Sequence, residues 1–321
     1  MRGQQHDRQH ASLYNACSIK HTHPMNQMST KRRAQVVAAL CEGNSVRSTV
    51  RMTGAAKGTV LKLLANLGVA CRDYQREVMV DLPCQRLQCD EIWSFCYAKD
   101  KNVPEAMRPK RSITKPNCDK ESMVGSVWTW TAIDADSKLV PSFHVGTRDA
   151  WCAFHFMQDL ASRLRERVQL TTDGHHAYLS AVGLSFGMEI DYAMLVKLYG
   201  AEPAGEARYS PPKCIGTRTE VKQGDPDPAH ISTSYAERQN LNMRMGMRRF
   251  TRLTNAFSKK CENHEHMIAL YYAFYNFARV HQTLKTTPAI AAGVADHVWT
   301  LTELVGLLDR AEARATGTDS N

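Results

Sequence analysis

Three acidic residues, widely separated along the chain, lie in surroundings that favour metal binding. Asp90 stands in the apolar and aromatic stretch Gln-Cys-Asp-Glu-Ile-Trp, where a buried charge is costly unless it is paired or bound to metal. Asp173 follows a short strand-like stretch, and Glu237 precedes a segment, Arg238 to Lys260, with seven basic residues and no acid. Hard cations prefer carboxylate oxygens, and two magnesium ions about 3.5–4 Å apart can serve the attacking and leaving oxygens of a phosphodiester. We therefore predict that Asp90, Asp173 and Glu237 are metal-binding catalytic carboxylates.

Two of these acids also have a purely structural interpretation. Aspartate is a favoured helix N-cap, so Asp173 could cap the helix that follows it. Ser234 and Glu237 have the spacing of a capping box, in which both side chains bind backbone N–H groups of the first turn. Glu91 is adjacent to Asp90 and points to the opposite face of a strand, so we expect only one of the two to share a site with the other acids.

The composition favours a folded protein with an anionic partner. Hydrophobic residues make up 43% of the 321 residues, and 41 Lys and Arg against 32 Asp and Glu leave a formal net charge of +9. A positive excess of this size favours nucleic acid as the partner. No apolar run is long enough for a transmembrane helix, so we expect no membrane association.

The spacing of the ten cysteines is typical of neither a disulfide framework nor a zinc site. None belongs to a Cys-x-x-Cys pair, and the spacing of Cys84, Cys89 and Cys96 fits no usual set of zinc ligands. We therefore predict a reducing, cytoplasmic location, and a zinc-dependent hydrolase is disfavoured. Residues 1–27 are polar and His-rich without the apolar stretch of a secretory signal, and we expect a disordered extension there.

Residues 28–69 have the pattern of three helices joined by short turns. The third helix is expected over residues 56–67, with Gly54 in the turn before it and Gly68 as its stop. A helix, a turn containing glycine and a second helix are typical of the all-α helix-turn-helix domain, whose last helix lies in the major groove of DNA. The residues of this helix that we expect to contact DNA are Lys57, Thr59 and Lys62.

A linker is predicted over residues 70–86, and strands then alternate with helices. Three strands are followed by a helix, a strand, a helix and a strand. The predicted strands cover residues 87–97, 124–134, 139–145, 168–172 and 190–198, and the predicted helices cover residues 149–167 and 174–182. Residues 200–231 are predicted to form a loop, and residues from 232 to about 280 to be helical. This order is that of the ribonuclease-H-like nucleases, an α/β fold built on a mixed sheet. We assign residues 87–295 to this domain and residues 296–321 to a C-terminal helix and tail.

Five motifs follow one another along the predicted α/β domain and its helical end. They are Gln-Cys-Asp-Glu-Ile-Trp at 88–93, Thr-Asp-Gly-His-His-Ala-Tyr at 172–178, Tyr-Ala-Glu-Arg-Gln-Asn-Leu-x-Met-Arg at 235–244, Arg-Arg-Phe-Thr-Arg-Leu-Thr-Asn-Ala-Phe-Ser-Lys-Lys at 248–260, and Tyr-Asn-Phe-x-Arg-x-His-x-Thr-Leu at 275–284. In this order they resemble bacterial transposases of the insertion-sequence-one type, within the Asp-Asp-Glu transposases. The resemblance covers roughly residues 28 to 295.

The resemblance implies a ribonuclease-H-like catalytic domain and a strand-transfer reaction. Asp90, Asp173 and Glu237 would be the catalytic acids, holding two Mg²⁺ ions that Mn²⁺ can replace. The partners would be double-stranded DNA, as terminal inverted repeats and target, and further copies of the chain in a homodimer or larger assembly, in a bacterial cytoplasm at the nucleoid. His175 and His176 are accessory candidates or packing residues. The basic residues expected to hold DNA near the acids are Arg238, Arg244, Arg248 and Arg249.

Two rival functions remain open at this stage. A non-enzymatic helix-turn-helix regulator would bind DNA through its basic helices, and its acids would lie scattered in space. A nuclease of the same fold would gather the acids but would cut DNA without joining strands. Only the motifs favour the transposase over the second rival.

Overall fold

The computed structural model describes residues 28–108, 123–200, 214–251 and 254–316, so the extension predicted over residues 1–27 lies outside the described residues. The helices are α1 (Thr30–Cys41), α2 (Val46–Thr53), α3 (Lys57–Val78), α4 (Ala150–Ala161), α5 (Ala177–Phe186), α6 (Ser234–Gly246), α7 (Cys261–Ala273), α8 (Pro288–Ala291) and α9 (Leu301–Thr316). The strands are β1 (Arg86–Cys96), β2 (Gly125–Asp134), β3 (Phe143–Gly146), β4 (Val168–Thr172), β5 (Ile190–Tyr199) and β6 (Cys214–Gln223). Within those ranges, no helix is long and apolar enough to span a membrane.

The strands form one six-stranded sheet in the order β3-β2-β1-β4-β5-β6. Strand β1 pairs antiparallel with β2 and parallel with β4, so it lies at the centre. The β2–β3 pair is antiparallel, the β4–β5 pair is parallel, and β6 runs antiparallel along the edge beside β5. The prediction of a mixed α/β sheet with the ribonuclease-H-like arrangement is confirmed.

Side chains alternate along β1 and divide the core in two. Leu87 and Cys89 belong to the core beneath α4 and α5, together with Trp130. Ile92 and Cys96 belong to the core on the other face, which includes α6, α7 and α9 and the apolar sides of α1 and α3. The N-terminal helices therefore share a core with the far end of the chain, and helices cover both faces of the sheet.

Two strands differ from the predictions. The third strand begins at Phe143 instead of residue 139, and the excluded stretch contains Pro141, which has no N–H to donate to a sheet. Strand β6 lies inside residues 200–231, which were predicted to be a loop, and most of its residues are exposed. An edge strand rich in polar residues lacks the apolar alternation that indicates a strand, so its pairing with β5 decides its conformation.

Helix α3 corrects another prediction. It continues through Gly68 to Val78, so the predicted stop is wrong and about half of the predicted linker is helical. Gly68 instead allows close packing on α7, because a Cβ built there would lie 2.5 Å from Cβ of His266. A lone glycine in a helical pattern can mark either a helix end or a close contact, and only the packing separates the two.

Replacing Gly68 with alanine is expected to lower the free energy of unfolding by about 1–3 kcal/mol, because the added methyl group overlaps α7. The matched control is Gly58→Ala in the same helix, where an added Cβ has no neighbour within 4 Å apart from the adjoining backbone of its own helix. That change is expected to stabilise by up to about 1 kcal/mol through helix propensity. Urea unfolding measures both, and equal effects of the two substitutions would contradict the close packing at Gly68.

The helical segment predicted from residue 232 to about 280 is also interrupted. Helix α6 ends at Gly246 and α7 begins at Cys261, so the cationic stretch behind Glu237 is not a single helix. A Cβ at Gly246 would lie 2.5 Å from Cε2 of Tyr271, so α6 and α7 approach closely there before the chain turns away. The basic residues beyond Gly246 therefore cannot be placed by helical periodicity from Glu237.

Candidate active site

Asp90 lies in the middle of β1, on the face that packs against α6. Its Oδ2 accepts a hydrogen bond from Nδ2 of Asn240 at 2.8 Å, and its Oδ1 accepts one from the backbone N–H of Glu91 at 2.8 Å. Burial, and then the negative charges of Asp173 and Glu237, raise the pKa of Asp90 to about 6. Two donors thus hold the carboxylate in place among charges that favour a bound cation.

Glu91 points to the opposite face of β1, as strand alternation predicts. Its side chain is only 1% exposed, and its Oε2 lies 3.0 Å from Nη2 of Arg148. The buried side chain of Tyr178 lies beside this carboxylate, and its hydrogen bond lowers the pKa of Glu91 by less than burial raises it. Burial, and then the charge of Asp173, raise the pKa of Glu91 to about 7.

Asp173 comes directly after the last residue of β4, at the carboxyl end of the parallel strands. Its Oδ1 accepts a hydrogen bond from the backbone N–H of His175 at 2.9 Å, and its Oδ2 lies 3.5 Å from Nη2 of Arg148. Helix α5 begins only at Ala177, and no side chain caps its first turn. The predicted helix start at Gly174 is therefore wrong, and Asp173 stabilises the turn before the helix instead of capping it.

The carboxylates of Asp90, Glu91 and Asp173 form one cluster, in which an oxygen of each lies within 4.8 Å of the others. The expectation that only one of Asp90 and Glu91 could share a site with Asp173 is wrong. The two side chains do leave β1 on opposite faces, but Asp173 stands beyond the end of its strand. A side chain in that position can be approached from both faces of the sheet.

Glu237 lies in the first turn of α6. Its Oε1 accepts a hydrogen bond from Oγ1 of Thr233 at 2.6 Å and forms an ion pair with Lys197 of β5. The capping box is not formed, because the helix begins at Ser234 itself and no side chain caps its first turn. The carboxylate therefore joins the residue that precedes its own helix to Lys197 of β5.

One cavity of about 420 Å³ brings these groups together. It is lined by Asp90, Asp173 and Glu237, and the cations Arg148 and Lys197 also line it. Burial opposes the charged form of Lys197, but the hydrogen bond and charge of Glu237 raise its pKa above the ordinary value. Carboxylate oxygens and two cations around one opening can bind divalent metal ions and the oxygens of a phosphate.

No protein-family model matches the chain, and no curated protein matches its sequence. Among solved structures, the chain is similar to the Mos1 mariner paired-end complex with Mn (12% identity, 54% of this chain and 60% of that chain covered, TM-score 0.22). It is also similar to the piggyBac transposase synaptic complex with hairpin DNA (9%, 91% and 72%, TM-score 0.34) and to endonuclease V of Streptomyces avermitilis (15%, 58% and 87%, TM-score 0.20). The chain thus spans 60% of the Mos1 chain in the first of these, and superpositions this loose do not assign a function.

Three residues of the site were not identified from the sequence. Asn240 follows Glu237 at the spacing that puts two side chains on one face of a helix, which is a usable signal. Arg148 lies in the turn between β3 and α4, and Lys197 lies near the end of β5. No local sequence pattern identifies Arg148 or Lys197 as a site residue, because the acids that each contacts are distant in the sequence.

The two histidines beside Asp173 line the same cavity but differ in surroundings. The ring of His175 stacks on Trp130, with centroids 5.7 Å apart, and its Nε2 is buried without a hydrogen-bond partner among the described residues. Burial lowers the pKa of His175, which favours a neutral packing residue at neutral pH. His176 directly precedes α5 and contributes no side-chain cap.

The residues expected to contact DNA fall into two groups, one near the start of α3 and one in or just beyond α6. Lys57, Thr59 and Lys62 are exposed near the start of α3, and so are Arg238 in α6 and Arg248 beyond it. Arg244 is half-buried in the last turn of α6. Lys57, Arg248 and Arg249 line a second cavity, of about 880 Å³, between the N-terminal helices and the segment before α7.

Arg249 differs from the other residues of this set. Its Nη1 donates to Oγ of Ser258 at 2.9 Å and to the backbone carbonyl of Asn263. Burial lowers the pKa of Arg249 to about 10. Its guanidinium therefore fixes the segment between α6 and α7, so it is less available to DNA than the exposed Arg248.

Protonation and metal binding are expected to compete at the acidic cluster. The pKa of Asp90 is raised to about 6 and that of Glu91 to about 7, so these two carboxyls bind protons more tightly in the metal-free folded state than in the unfolded chain. The stability that these two groups contribute is therefore expected to fall as the pH rises from roughly 4 to 7. Mn²⁺ is expected to raise the Tm by an increment that grows over the same range, because bound ions need ionised carboxylates.

Thermal unfolding at constant ionic strength, with and without Mn²⁺, measures this competition. Glu91→Gln removes one of these contributions, so the Tm of the metal-free variant is expected to rise relative to that of the unmodified chain as the pH increases over this range. A metal increment that is equal at acidic and neutral pH would contradict binding at the cluster.

Proposed function

We propose that the chain is a DNA transposase of the Asp-Asp-Glu type that moves an insertion sequence of the insertion-sequence-one kind. The observation that carries this proposal is that Asp90 of β1, Asp173 directly after β4 and Glu237 of α6 line one cavity. A regulator that only binds DNA has no use for these neighbouring acids, since like charges close together cost free energy. The motifs resembling that family include all three acids: Asp90, Asp173 and Glu237.

The donor set fits hard divalent cations. Only carboxylate oxygens make up the cluster, and these are the ligands that such cations prefer. Asp90, Asp173 and Glu237 would hold two Mg²⁺ ions, which Mn²⁺ can replace. When bound, such ions supply an activated water and offset the negative charge on a reacting phosphate.

The chain's own side chains position these carboxylates. Asn240 donates to Asp90 and fixes its orientation. Arg148 contacts both Glu91 and Asp173 and so offsets the repulsion between them. Lys197 is paired with Glu237, and its ammonium can turn to a phosphate oxygen when DNA enters the cavity.

Two displacements at phosphorus would make up the reaction. In the first, a water oxygen attacks the phosphodiester at the end of the element, and the bond from phosphorus to the 3′ oxygen breaks to leave a 3′-hydroxyl. In the second, that hydroxyl attacks a phosphate of the target DNA and displaces the target's own 3′ oxygen. Each step exchanges one bond to phosphorus for another, which suits a site built to offset charge.

DNA recognition is assigned to the exposed start of α3. Lys57, Thr59 and Lys62 would contact the terminal inverted repeats, as expected of the last helix in a helix-turn-helix domain. Arg238, Arg244 and Arg248 would hold DNA backbone nearer the acids. Since both ends of an element must be joined, the active form would be a homodimer or larger assembly, working in the bacterial cytoplasm.

A joining assay tests the function against its two rivals. The full chain is incubated with a labelled duplex carrying the element's terminal repeats and an unlabelled target plasmid, with Mg²⁺, Mn²⁺ or EDTA. Metal-dependent joined product is expected. Cleavage without joined product would assign a nuclease, and repeat-specific binding without cleavage would assign a regulator.

A further inference from the structure

A row of aromatic side chains lies on the sheet next to the acidic cavity. Trp93 of β1 and Trp128 of β2 stand directly opposite each other, so both side chains lie on the same face. Ring centroids are 5.7 Å apart between Trp93 and Phe95 and 4.7 Å apart between Phe95 and Phe257. We call these four residues the aromatic row, and all four are partly exposed.

The row begins at the acidic cluster. The guanidinium of Arg148, which contacts Glu91 and Asp173, also lies over the ring of Trp128 at 4.8 Å from its centroid. Glu91 and Trp93 are two residues apart on one strand, so their side chains share a face. A ligand that lies along the row would therefore have one end beside the carboxylates.

Cations flank the row and continue beyond it. Nζ of Lys259 lies 4.3 Å from the ring centroid of Phe257, and Nζ of Lys99 lies 6.0 Å from that of Phe95. Phe257 and Lys259 also line the 880 Å³ cavity that Lys57 of α3 borders. The row thus connects the acidic cavity with the basic groove beside the N-terminal helices.

Packing within the described residues does not account for the row. Its four rings belong to neither of the two hydrophobic cores, although Trp130, two residues from Trp128 on the same face, is fully buried in one of them. Aromatic rings with adjacent cations are what proteins use to stack nucleic-acid bases while holding the phosphates. A base-paired duplex hides its base faces, whereas an unpaired strand offers them.

We propose that the aromatic row binds the unpaired bases of a single DNA strand, next to the phosphate that occupies the acidic cavity. The choice of DNA rests on the proposed function. The positive charge of Lys99 and Lys259 beside the row favours this occupant over an apolar segment of another protein. The bases beside the reacting phosphate are therefore separated from their complements when they lie on the sheet.

Affinity for a short oligothymidylate, measured by fluorescence anisotropy in EDTA with the full chain, tests the row without any catalysis. Trp93→Leu and Phe257→Leu are each expected to weaken binding roughly tenfold, within the usual range for one lost base stack. The matched control is Tyr235→Leu, which removes an exposed ring that also has a cation, Nζ of Lys138, 3.5 Å from its centroid. Tyr235 lies outside the row, so its replacement should leave the affinity unchanged.

Binding of an oligonucleotide that lacks bases provides a second test of the same variants. An oligonucleotide with abasic sites should bind the unmodified chain and both leucine variants equally, because no base remains to stack. Photocrosslinking uses the unmodified chain and so does not depend on how the variants fold. A strand carrying 5-iododeoxyuridine should crosslink to the peptides containing Trp93 or Phe257.

Equal oligothymidylate affinity of the row variants and the unmodified chain, or crosslinks found only outside the row, would overturn the inference. A change in self-association without a change in DNA affinity would also overturn it, by assigning the row to a contact between copies of the chain. The result is separable from the proposed function. Joining activity with row-independent strand binding would reject only the row, and row-dependent binding without metal-dependent cleavage would reject only the transposase.

Discussion

Replacing Asp90 with asparagine is expected to lower the rate of metal-dependent DNA cleavage and joining by roughly 10³-fold or more. Asn keeps the shape of the side chain but removes the charge at the centre of the cluster, and each lost 1.4 kcal/mol of transition-state stabilisation costs about tenfold. Asp173→Asn and Glu237→Gln are expected to act in the same direction. Single-turnover cleavage of a labelled repeat duplex measures the chemical step directly.

Two controls separate a lost reaction from a lost fold. Asp309→Asn neutralises an exposed carboxylate on α9 that lies 3.5 Å from Arg33, and it should leave the cleavage rate unchanged. Binding of the repeat duplex in EDTA should survive all three site substitutions, because the basic residues that would hold DNA are untouched. Full cleavage by any one of the variants would remove that acid from the catalytic set.

Replacing Glu91 with glutamine is expected to weaken Mn²⁺ affinity by roughly 10- to 100-fold, as is usual when a group supporting metal ligands is lost. Glu91 contributes one of the clustered oxygens, and its charge holds Arg148. Without that charge, the guanidinium would shift its pairing to Asp173 and compete with a cation there. Calorimetric titration of the full chain with Mn²⁺ measures the change.

A second buried glutamate provides the matched control for this prediction. Glu265 of α7 lies away from the cluster, so Glu265→Gln tests the general cost of neutralising a buried acid. It should leave Mn²⁺ affinity unchanged even if it lowers the Tm. Unchanged affinity in Glu91→Gln would return Glu91 to the role of bystander that strand alternation alone suggests.

Sequence patterns predicted the elements that depend on nearby residues. The apolar spacing in α3 and the aromatic stretch of β1 identify their elements because side-chain period is a local property. The order of strands and helices was enough to predict the mixed sheet. Element ends were predicted less well, as at Gly68 and Gly246, because a glycine that permits close helix packing is indistinguishable in sequence from one that ends a helix.

Local sequence patterns also failed to predict the edge strand β6 and the end of α6 at Gly246. Strand β6 carries mostly exposed side chains and owes its conformation to backbone pairing with β5. The residues of the basic stretch after Gly246 are compatible with a helix, yet α6 ends at Gly246. Arg249 in this stretch donates hydrogen bonds to Ser258 and to the backbone carbonyl of Asn263. The conformation of β6 and the conformation of this stretch are both determined by contacts with other segments, which a short sequence pattern does not contain.

The acidic site was likewise predicted from the sequence only in part. The sequence by itself determined that Asp90 is a charge within an apolar strand and that Asp173 and Glu237 stand at the ends of elements. Only the tertiary structure decided that Asp173 lies where both faces of β1 can reach it, which brings Glu91 into the cluster. It also decided that Arg148, Lys197 and Asn240 hold these acids. The physical reason is that side-chain direction is fixed within a few residues, whereas the meeting of charges depends on strand register and helix packing between distant parts of the chain.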